Sequence, residues 1–78
     1  MEKFRIEIQE GNATIPFEIV DYAHDDNNQC KFEVFKEGNF IASFEPDSRG
    51  LLHVCKNTGS VSEHILHMLA DRIERFNF

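Results

Sequence analysis

Apolar residues recur at every second position through most of Lys3 to Lys56, and at intervals of three and four only after Ser60. The chain can therefore hold one helix, at its end, and must build everything before it from strands and turns. The spacing predicts that helix over Ser60 to Phe76. Ser60 stands three residues before Glu63, the S-x-x-E pattern in which side chain and backbone cap one another, and Gly59 breaks the chain just ahead of it. Val61, Ile65, Met68, Leu69, Ile73 and Phe76 fall on one stripe, with Glu63, His67, Ala70 and Glu74 opposite. Arg72 and Arg75 suit the negative end of the helix dipole, and Asp71 pairs with Arg75 one turn on.

Five strands are expected ahead of it. Lys3–Glu10 alternates, with Phe4, Ile6 and Ile8 on one face and Lys3, Arg5, Glu7 and Gln9 on the other; Gly11-Asn12 is a turn. Thr14–Tyr22 places Ile15, Phe17 and Ile19 inward, and Pro16, which cannot donate to a ladder, points to an edge or a bulge. His24–Gln29 has no apolar content and reads as an exposed loop. Cys30–Lys36 puts Cys30, Phe32 and Val34 inward. Glu37-Gly38-Asn39 turns the chain into Phe40–Glu45, with Phe40, Ala42 and Phe44 on one face. After Pro46–Gly50 comes Leu51–Lys56, whose register stays open: either Leu52 and Val54, or Leu51, His53 and Cys55, face the helix. The expected fold is α+β, a five-stranded antiparallel β-meander with one C-terminal α-helix packed across one face. Seventy-eight residues make one domain, 1–78, small enough that a partner or second copy would help its stability.

Eight basic against fourteen acidic residues give a net charge of −6, which argues against binding nucleic acid or anionic membrane. Met1–Ile8 alternates charged and apolar residues with no signal-like apolar run, and no stretch approaches membrane-spanning length. The expected compartment is the cytoplasm, where Cys30 and Cys55 would be reduced small hydrophobes, with a disulfide between them as the other option. Asn12-Ala-Thr14 forms a glycosylation sequon that matters only on secretion.

Chemistry-bearing residues are few. His53, Cys55, His64 and His67 are the residue types zinc prefers, but only one register of the fifth strand would turn His53 and Cys55 toward the helix, so ordinary surface histidines are the favoured reading and no cofactor is expected. Asp21–Asn28 gathers oxygen ligands without the order of a calcium loop. Cys55 or Cys30 beside His53 or His24 lacks an orienting acid and an oxyanion hole, so no catalytic site assembles. Lys56–Ser60 at the helix start could hold an anion but lacks P-loop spacing.

Two features carry more weight. The sheet face opposite the helix should be polar, yet Val20, Tyr22, Phe35 and Ile41 fall on it, with Leu51 or Leu52. Arg72 lies within the apolar stripe, where it would snorkel past the sheet edge or pair with an acidic strand residue such as Glu7. The function expected is therefore a non-catalytic protein-interaction or homo-oligomeric module using that open face. The alternative is a domain binding an anionic small ligand or a metal between helix and sheet, around Arg72, His64 and the fifth strand.

Overall fold

The computed structural model describes residues 2–22 and 30–76. Its elements run β1 (Glu2–Glu10), β2 (Ala13–Asp21), β3 (Phe32–Lys36), β4 (Asn39–Pro46), β5 (Leu52–Asn57) and α1 (Glu63–Glu74). The strands form one antiparallel sheet in the order β1-β2-β3-β4-β5, the expected meander with its helix packed on it.

Alternation sets the register. Phe4, Ile6 and Ile8 of β1 stand opposite Ile19, Phe17 and Ile15 of β2, so the apolar sets of both strands share one face. Pro16 lies opposite Glu7, beyond the point where pairing of β2 with β3 stops at Glu18. Although β2 is an inner strand, Pro16 occupies a stretch that is locally an edge, where its missing donor deprives β3 of nothing. The two-residue turn Glu37-Gly38 has positive φ at both positions, +52° and +81°, the conformation whose twist matches a hairpin.

Two irregularities break the alternation. Between β3 and β4 the register shifts so that Val34 faces Ala42 and Phe35 faces Phe40, leaving Ile41 as an extra residue. Between β4 and β5, Ser43 faces Lys56 and Phe44 faces Val54, leaving Cys55 extra. Each is a β-bulge, and a bulge reverses the parity of the residues beyond it. Ile41 consequently joins the buried core while Phe40, expected inward, comes to lie beside Phe35 on the opposite face.

Phe17, Phe32 and Phe44 are the largest fully buried side chains, and Ile65, Leu66, Leu69 and Ile73 from α1 close over them. Val61, Met68 and Ala70 pack at the margin, so Ala70 belongs to the buried side rather than the solvent side expected of it. The helix begins two residues later than its first serine suggests. Ser62 is the N-cap, accepting a hydrogen bond from the Ile65 amide at 3.2 Å, while Ser60 shares one with Thr58 at 2.7 Å.

The helix comes closest to β1 and β5, the two outermost strands. Arg72 Nη1 donates to the Glu7 carbonyl of β1 at 3.0 Å, and the Leu52 amide of β5 donates to the Glu74 carboxylate at 2.9 Å. Near the same helix end the Phe76 ring lies 4.6 Å from that of Phe4. A sheet whose opposite edges both reach one helix end is curled around it. Its concave face holds the core, and the helix does not cover its convex face.

Candidate interaction face and the residues around it

The register assigns the convex face its side chains: Lys3, Arg5, Glu7 and Gln9 from β1, Thr14, Pro16, Glu18 and Val20 from β2, and Glu33 and Phe35 from β3. Phe40, Ser43 and Glu45 of β4 and His53 and Lys56 of β5 continue it. Among these polar groups sits an aromatic pair. The rings of Phe35 and Phe40 are 5.7 Å apart at 68°, an edge-to-face contact between two half-buried side chains.

Beside the pair runs a groove of about 310 Å³ lined by Lys3, Glu18, Val20, Tyr22, Phe35 and Gly38. Val20 forms its floor at 5 % exposure, and Tyr22 and Phe35 are half-buried. The Tyr22 hydroxyl donates to a Glu33 carboxylate oxygen at 2.7 Å. That bond, with partial desolvation and the negative charge of Glu33, holds the phenol above its ordinary value of 10.0. Ser43 is buried at 1 % exposure, and its hydroxyl has no hydrogen-bond partner among the described residues. Of the four residues expected here, Val20, Tyr22 and Phe35 gather around this groove. Ile41 is 4 % exposed and packs in the core, so its place on the face is taken by Phe40.

Leu52 and Val54 line a second groove of about 240 Å³ between β5 and α1, together with Phe44, Leu66, His67, Ala70, Asp71 and Glu74. This settles the register of β5 in favour of Leu52 and Val54 on the helix side. Neither Arg72 nor His64 lines that groove. Arg72 snorkels to the edge of β1 as expected, but it binds the backbone carbonyl of Glu7 rather than the carboxylate. His64 and His67 are exposed on the helix.

The remaining candidates are engaged elsewhere. His53 Nε2 lies 2.8 Å from an Asp47 carboxylate oxygen. Asp47 also accepts from the amides of Arg49 and Leu51, and His53 with those two amides holds its carboxyl below the usual 3.8. Cys55 is bonded to Cys30, so the expectation of two reduced thiols is corrected. A bulge on an edge strand and a bend just before β3 bring the two sulfurs together, a juxtaposition that alternation alone does not forecast. Among the described residues no group of three or more histidine, cysteine or acidic side chains is placed to hold a metal. His24 and most of the acidic loop lie outside the described residues; Asp21 pairs with Lys31 at 2.8 Å. At the helix approach, Asn57 accepts from the Gly59 amide and Thr58 binds Ile41, so these groups are spent on the connection itself.

No protein-family model, curated protein or solved structure matches this chain. Among the described residues no helix is long and apolar enough to cross a membrane. A functional reading rests on the geometry of the convex face.

Proposed function

We propose that this chain is a non-catalytic interaction module that pairs with a second copy of itself through the convex face of the sheet. The observation that carries the reading is the Phe35–Phe40 pair, two aromatic rings set among charged side chains on the face the helix does not cover. Aromatic side chains held half-buried in a polar surround are the usual anchors of protein interfaces.

Charge favours a copy over a foreign partner. The face carries Lys3, Arg5 and Lys56 against Glu7, Glu18, Glu33 and Glu45, close to neutral, whereas the whole chain is at −6. Both signs are present, so two such faces can meet without net repulsion while the excess negative charge lies elsewhere. The edges are poorly suited to pairing because Arg72 and Glu74 each occupy a backbone group of an outer strand. A stable pair needs roughly 800 Å² from each copy. Small domain size adds motive, since a second copy supplies burial that one chain cannot.

Phe35→Glu and Phe40→Glu test the reading against Leu51→Glu, an exposed position on the loop before β5. The first two substitutions should abolish association with an unchanged circular dichroism spectrum, and the third should leave it intact. Association that survives both phenylalanine changes would place the contact elsewhere. We further propose a cytoplasmic location, in which the Cys30–Cys55 bond would be open for part of the time. Thiol trapping in cells tests it, because an oxidising compartment would keep Cys30–Cys55 permanently closed.

A further inference from the structure

We propose that the Cys30–Cys55 disulfide is a thiol–disulfide exchange site, opened and closed by an external dithiol while the fold stands. It does not rest on self-association. The bond joins the segment leading into β3 to β5, with the Cα atoms 6.5 Å apart, and β4 lies between those strands. Cys55 is the extra residue of the β4–β5 bulge, outside the paired ladder, on an edge strand and exposed; Cys30 is half-buried. A sulfur placed there is open to attack.

The backbone around both sulfurs is held without them. At one end of β5 the Leu52 amide binds Glu74 at 2.9 Å and the Asp47 amide binds the Leu51 carbonyl at 2.9 Å. At the other, the amide and hydroxyl of Thr58 both donate to the Ile41 carbonyl, at 3.1 and 2.8 Å. Beside Cys30, the Lys31 amide donates to the Glu45 carboxylate at 2.7 Å and the Tyr22 amide to the Lys31 carbonyl at 2.9 Å. Neither cysteine belongs to the core cluster, so opening the bond leaves no cavity there.

The exchange runs in two displacements. A thiolate of the dithiol attacks Cys55 Sγ, the disulfide breaks, and Cys30 leaves as a thiolate that takes a proton from water. The second thiol of the reductant, as its thiolate, then displaces Cys55 from the mixed disulfide. Two electrons pass to the protein, the reductant departs as a disulfide, and the reverse sequence closes the bond.

Titrating the folded protein with dithiothreitol, followed by two-dimensional NMR, tests this. Reduction should go to completion without denaturant and keep the cross-strand contacts Ile6–Phe17, Val34–Ala42 and Phe44–Val54. Glutathione disulfide should then restore the bond. With Cys30→Ser, Cys55 should form a mixed disulfide at least about tenfold faster than Cys30 does with Cys55→Ser. A bond that resists reduction until the chain unfolds, reduction that itself unfolds the chain, or equal rates in the two variants would each overturn the proposal. Should a single-cysteine variant fail to fold, the titration of the native protein still decides.

Discussion

Arg72 and Glu74, neighbours but one on α1, bind opposite edges of the same sheet: Arg72 holds the Glu7 carbonyl of β1 and Glu74 the Leu52 amide of β5. One helix end thus clasps both outer strands of the curled sheet. Glu74→Ala leaves the Leu52 amide without its partner and should lower unfolding stability by about 1–2 kcal/mol. Arg72→Ala loses a more exposed bond and should cost about 1 kcal/mol. Urea denaturation of both variants measures this. A pair of changes with no effect would show that apolar packing alone holds the helix in place.

The β3–β4 turn is a site where stability can be raised. Glu37 is the only non-glycine with positive φ among the described residues, at +52°, a conformation that penalises a β-carbon. Glu37→Asn or Glu37→Gly should stabilise the domain by about 0.5–1 kcal/mol. Gly38, at φ +81°, should show the reverse, with Gly38→Ala destabilising by about 1 kcal/mol. Thermal melts of the three variants separate these outcomes, and a destabilising Glu37→Gly would mean that its carboxylate does work not visible in the turn geometry.

Tyr22 reports on the convex face directly. It is the only tyrosine in a chain without tryptophan, so tyrosinate absorbance follows one group. Its ionisation should come above 10.0 in the folded protein, and Glu33→Gln should bring it back toward that value by removing the charged acceptor. A folded value raised above the unfolded one means that the neutral phenol is the stabilised form. Its contribution is complete below the unfolded value and is lost as pH rises through the folded one. An ordinary midpoint would show that Tyr22 and Glu33 are apart in solution.

How far the sequence discloses this structure depends on whether backbone or side chain sets the pattern. Phe4, Ile6 and Ile8, or Ile15, Phe17 and Ile19, announce their shared face because alternation is strict and the hairpin between them is regular. Phe40-Ile41-Ala42-Ser43-Phe44 does not, because a bulge puts consecutive residues into the core. That run of small and apolar residues was the only signal that alternation might fail there, and it hides Phe40, now central to the candidate face. Ser60 and Ser62 both satisfy the preference for a helix cap; Ser62 takes that place, while Ser60 binds Thr58, whose hydroxyl is held by Ile41 of β4. Arg72 was legible as a charge in an apolar stripe, though not as a ligand to a backbone carbonyl. The Cys30–Cys55 bond depends on how the chain approaches β3 and on the bulge in β5, features that local pattern does not encode.

Self-pairing through the convex face is the central claim, and sedimentation equilibrium from low to high micromolar concentration tests it most directly. The wild-type chain should shift from 9.1 kDa toward twice that mass, and Phe35→Glu should hold it at the lower value while remaining folded. A wild-type chain that stays at 9.1 kDa across the whole range would contradict the claim.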